Sequence, residues 1–225
     1  MSEGFAAIVL FIIFARIMLL EICKAWLVGF IAALPIGPIF LMVVQGTLCY
    51  NRRAGLMVGL GAATGDMIYA GLGLLTLELI KATVLEHQGL FMVLGGVIVG
   101  GMGIWMFHRE VSVDLPASER QLSDWTCVLQ GFTGALSNPG ALAAMLALLT
   151  VFSLGAGTAR TPIWALVPAV GLGEAVYWAL VSRLLSRYVR VGGKTLRFGS
   201  KVAGSLVFIF AVVLLVRGGL MIIRN

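Results

Sequence analysis

"AALPIGPIFLMVV", residues 32–44, sets Pro35, Gly37 and Pro38 in the middle of an apolar run long enough to cross a bilayer. Proline removes a backbone donor and clashes with the preceding turn, and glycine adds conformational freedom, so this segment opens or kinks any helix that contains it. In hydrocarbon a freed N–H or C=O costs several kcal/mol unless another part of the protein or a wet cavity satisfies it. A chain that breaks a helix there must supply those partners.

Composition gives the class. Of 225 residues, 60% are hydrophobic and only 12% charged, with 29 glycines, and the mean hydropathy is +1.04. A water-soluble domain could not cover such a balance with polar surface, so the chain reads as an integral membrane protein whose first partner is the lipid bilayer. The net charge of +6 does not point to nucleic acid, because the basic residues lie between apolar runs rather than along a polar face. Cys23, Cys49 and Cys127 show no paired spacing, which gives no support to a disulfide framework, a zinc site or a thiol relay. No metal and no cofactor are expected, since the spans hold too few His, Asp and Cys for a metal site.

Stretches of about 20 apolar residues, the length a helix needs to span hydrocarbon, fall at 25–48, 55–77, 89–107, 126–150, 162–182 and 202–223. The expected fold is all-α with six transmembrane helices. Loops one, three and five carry ten Lys and Arg (Arg52 and Arg53, Arg109 and Arg120, then six between Arg183 and Lys201), against five on the opposite side. Those loops are therefore expected in the cytoplasm, with both ends of the six-helix unit outside. Trp26 and Trp164 would mark the outer interface, Trp105 and Trp125 the inner one. Residues 1–23 form a hydrophobic N-terminal extension, either a seventh helix or a segment upstream of a true start at Met18.

The chain repeats itself. "GFIAAL" at 29–34 returns as "GFTGAL" at 131–136, and each copy runs into helix breakers, Pro35 to Pro38 in one and Ser137-Asn138-Pro139-Gly140 in the other. "GDMIY" at 65–69 returns as "GEAVY" at 173–177, and Arg109 corresponds to Arg217. This divides the chain into a first three-helix repeat at 24–110, a cytoplasmic linker at 111–124 and a second repeat at 125–225. Three is odd, so the second copy enters the membrane from the other side and the two are inverted repeats. Two interrupted spans at matching positions in such repeats point to the substrate and ion site of a secondary transporter.

Two acids lie deep in spans, Asp66 in the second and Glu174 at the equivalent place of the fifth. A charge at a helix centre costs about 2.5–3.5 kcal/mol on insertion, so each should face the interior. Tyr69 and Tyr177 follow three residues later and share a helix face with the acids. A buried carboxyl can take up and release a proton in a transport cycle; the alternative is a structural hydrogen bond between helices. The substrate and coupling-ion site is therefore expected to comprise Asp66, Glu174, Tyr69, Tyr177, Pro35, Gly37, Pro38, Asn138 and Pro139, with the breaks and both acids around one cavity. Gly61 with Gly65 and Gly96 with Gly100 read as close-packing positions, and small-residue faces leave room for a homodimer.

"LPIGP" in the first span, "GLGAATGDMIY" in the second and "QGFTGALSNPGAL" in the fourth resemble the lysine exporter (LysE/RhtB) family over about residues 24–223. The departure is at the first break, where Ile36 stands in place of the family's first proline and Pro35 one position earlier. The resemblance implies a secondary transporter of the bacterial inner membrane, not an enzyme, that exports amino acids or related metabolites in exchange for protons or another ion. An exporter of an inorganic cation on the same architecture is the second reading. An intramembrane protease, suggested by "GLGE" at 171–174, is a distant third, because that chemistry needs two aspartates at close range.

Overall fold

The computed structural model describes residues 2–34, 37–79, 86–108, 123–154, 161–188 and 193–224. Every regular element among them is helical: α1 (Ser2–Ala32), α2 (Pro38–Gln45), one π turn (Gly46–Tyr50), α3 (Arg52–Leu79), α4 (Gln88–His108), α5 (Asp124–Leu136), α6 (Pro139–Val151), α7 (Ile163–Tyr188) and α8 (Gly193–Arg224). By length and composition α3 and residues 163–187 of α7 can each cross a membrane, and α5 with α6, bent by 72°, meets the same test as a broken span.

Element ends differ from the sequence reading in two places. α1 runs unbroken through the 23/24 boundary, because residues 8–34 hold no proline or glycine before Gly29 to stop it. The basic stretch expected as a loop from 183 is helical to Tyr188 and again from Gly193, since its Arg, Leu and Lys residues are good helix formers.

The core is built from small residues. Along α3 the buried positions are mostly Gly and Ala, whereas Ile68, Leu72, Leu75 and Leu79 point outward. That inverts the usual arrangement in water and suits a helix whose outer face meets lipid. Four glycines set the two closest crossings. Gly29 faces the Val170 carbonyl and Gly173 the Trp26 carbonyl where α1 meets α7; Gly61 faces the Val128 carbonyl and Gly131 the Val58 carbonyl where α3 meets α5. A Cβ at any of these would overlap a backbone oxygen. With Asp66 aligned to Glu174, Val170 corresponds to residue 62, so the α3 crossing at Val58 sits about one turn off an exact match.

α3 also packs against α7, with Trp178 filling the face of Gly59, Met67 that of Gly171 and Val167 that of Gly71. Numbers rise on one helix as they fall on the other, so the two are antiparallel. α4 and α8 pair the same way, Gly89 against Ile222, Gly96 against Leu215 and Gly100 against Ala211. Trp125 and Trp164 are exposed, at 69% and 78%. Trp26 instead stacks on Phe30 at 5.5 Å, and the Trp105 side chain lies outside the described residues.

Candidate functional site: a carboxyl pair between two broken helices

The break between α5 and α6 follows from one missing donor. In a continuous helix the N–H of residue 139 would bond the carbonyl of 135, but Pro139 has none. Asn138 takes its place, donating its own N–H to Ala135 O at 3.0 Å and capping α6 by accepting the Gly140 N–H on Oδ1 at 3.1 Å. Gly140 is thereby withdrawn from Leu136, whose carbonyl is left over. The Tyr69 hydroxyl donates to it at 2.7 Å.

The first break has the same cause. Pro38 is the first residue of α2, with Gly37 as its N-cap, so the Leu34 carbonyl loses the partner a continuous helix would give it. Leu34 packs against the buried cluster that holds Tyr177, the tyrosine equivalent to Tyr69. Gly37 has φ −108° and ψ −166°, extended backbone that any residue adopts, so its dihedrals do not require glycine. Pro35 lies outside the described residues, as does the side chain of Pro139. The two broken segments meet: α1 contacts α6, and α2 contacts α5, where Ile39 and Met42 cover the face of Gly134.

The acids meet across α3 and α7. Asp66 is half-buried and Glu174 is 1% exposed, each on a helix that packs against the other. Asp66 Oδ1 and Glu174 Oε2 are both buried with no hydrogen-bond partner. The remaining oxygen, Glu174 Oε1, accepts from Trp178 Nε1 at 3.0 Å. Trp178 is 2% exposed, held edge-on against Tyr177 at 4.9 Å, while Phe30 meets Tyr177 at 5.6 Å.

Trp178 escaped the sequence reading, although its spacing of four from Glu174 is the signal that puts both on one helix face. Ser182, one further turn along α7, is fully buried, and its hydroxyl has no partner. A cavity of about 190 Å³ between α2, α3 and α5 is lined by Gln45, Tyr50 and Gln130 among others, and none of the sequence-predicted site residues lines it. Trp178, Tyr177 and Phe30 pack together beside Glu174.

Helices with apolar outer faces, a broken span whose freed carbonyl is taken up by Tyr69 and two buried acids on packed helices are the marks of a helical transmembrane transporter. The sequence model for the LysE type translocator matches residues 30–218; the chain belongs to that family. It is 29% identical over 184 residues to the uncharacterized membrane protein YahN of Escherichia coli K12, covering 79% of this chain and 81% of that protein. It is 31% identical over 173 residues to the threonine efflux protein of the same strain, covering 73% and 81%. The threonine efflux protein of Salmonella typhi is 26% identical over 165 residues, covering 71% and 79%. No solved structure matches the chain.

Proposed function

We propose that this chain exports an amino acid or a related small metabolite across the bacterial inner membrane and that Asp66 and Glu174 together carry the coupling proton. The observation that carries this reading is that two carboxyls on packed helices, at matching places in the two repeats, each bury an oxygen with no hydrogen-bond partner. A proton shared by that pair is released when they part and taken up when they meet, so any motion of α3 against α7 is linked to proton movement. Export follows if the paired and parted states open to opposite sides, which makes the gradient bias one direction.

Six spans in two inverted three-helix repeats are the architecture that this mechanism uses. It is supported by the matched carbonyls, Leu34 and Leu136, each released by a proline four residues on or by its neighbour. By the positive-inside rule, the 50–53 and 123–124 ends are taken as cytoplasmic in this reading. The threonine efflux relatives make small amino acids the first substrates to try.

Cells expressing the protein and fed dipeptides should release one or a few amino acids faster than empty-vector cells. Selective tolerance of a metal salt with no amino acid released would overturn the reading in favour of an ion exporter.

A further inference from the structure

The 190 Å³ cavity has a different chemistry from the acid pair. Gln45 ends α2, Tyr50 ends the π turn, Val58 lies on α3, and Cys127 and Gln130 lie one turn apart on α5, with Met42 completing the wall. Val58 is eight residues from Asp66 on the same helix, which sets the two places about 12 Å apart. Among the described residues no charged side chain lines the cavity. Its polar groups are two primary amides and a phenol, which both donate and accept.

The backbone around it is also unusual. Asn51 N–H bonds Gly46 O at 3.1 Å, five residues back, closing a π turn, a feature often found at functional sites because it widens the helix and redirects its side chains. The turn is seated tightly, with Gly46 against the backbone of Gly55 and Thr47 against the face of Gly55. An exposed Arg53–Asp124 ion pair ties the start of α3 to the start of α5; Asp124 is one turn before Cys127 and does not line the cavity.

We infer that this recess is a substrate-capture site on the cytoplasmic side, separate from the proton pair, and that it selects small solutes of zero net charge; the inference rests on the exporter reading above. The volume equals that of about six water molecules at ~30 Å³ each, enough for a small amino acid. Amides can meet both the ammonium and the carboxylate of a zwitterion, whereas a side chain with a further charge would be left uncompensated in a poorly solvated wall. Gln45 and Gln130 are specificity-determining residues in this account, and Asp66, about 12 Å away along α3 (about eight residues at ~1.5 Å each), with Glu174 on α7 couples the captured solute to the gradient.

The test uses Met42→Cys in a full-length chain carrying Cys23→Ala, Cys49→Ala and Cys127→Ala, labelled with a small hydrophilic thiol reagent in inside-out vesicles. Labelling should proceed without solute, and at least one of L-threonine, L-serine and L-leucine should slow it, about tenfold at roughly ten times its dissociation constant. L-Lysine and L-glutamate should leave the rate unchanged. Gln130→Leu should raise KM about three- to tenfold, the worth of one hydrogen bond, with the maximal rate kept. Failure to label, no protection by any of the three, equal protection by the charged pair, or an unchanged KM in Gln130→Leu would each overturn the inference. Export measured in the same cells separates the two readings: export without protection leaves the exporter and removes the recess, whereas protection without export does the reverse.

Discussion

The Tyr69 hydroxyl donates to the Leu136 carbonyl at 2.7 Å, and this one bond joins the helix that carries Asp66 to the helix broken at Asn138. It answers the question that the proline pattern raises, namely where the freed backbone group goes. Tyr69→Phe removes the donor and leaves a partly buried carbonyl unpaired, at a cost of about 1–3 kcal/mol. Thermal unfolding in detergent should show the variant less stable, with membrane insertion retained. Equal unfolding temperatures for variant and wild type would mean that Leu136 finds another partner.

Trp178→Phe keeps an aromatic ring against Gly59 but deletes the N–H that holds Glu174 Oε1. If the indole positions the acid pair, pH-driven export should fall severalfold while exchange of labelled substrate at equal pH on both sides is kept. A purely structural tryptophan would lower both rates together, and the two assays run on the same proteoliposomes decide.

Glycine substitutions should divide sharply by what each glycine faces. Gly131→Ala drives a methyl into the Val58 carbonyl, and overpacking of this kind costs about 1–3 kcal/mol. Gly101 has nothing within 4 Å of its would-be Cβ, so Gly101→Ala should be neutral or gain up to about 1 kcal/mol in helix propensity. Yield and unfolding temperature of the two purified variants check the contrast.

Ser153 ends the helix of Pro139–Val151 in the left-handed region, at φ 55°, with Leu154 N–H reaching back to Leu149 O at 2.9 Å. Glycine takes that conformation without a Cβ penalty. Ser153→Gly should therefore raise stability by about 1 kcal/mol, read as a higher unfolding temperature at unchanged export.

Much of the site was legible in the sequence because it rests on rules local to a helix. Pro38, Pro139 and Asn138 announce the breaks through their missing or competing hydrogen bonds, and Asp66 and Glu174 stand out because charge in an apolar span is expensive. What the sequence did not carry depends on three-dimensional packing. That Tyr69 would serve a carbonyl 67 residues away, or that Trp178 would fill the space beside Glu174, follows from which helix faces which. The polar recess near Gln45 and Gln130 was invisible for a related reason: neutral amides on separate helices form no sequence motif.

The central claim is that the Asp66–Glu174 pair moves the coupling proton, and pH-gradient-driven export from proteoliposomes tests it most directly. Asp66→Asn and Glu174→Gln keep size and hydrogen-bonding capacity but cannot titrate. Each alone should sharply reduce gradient-driven export, Asp66→Asn more than Glu174→Gln, and both together should abolish it, while membrane level and folding stay near wild type. Wild-type export rates in both single variants and in the double variant would contradict the account and return the two acids to a structural role.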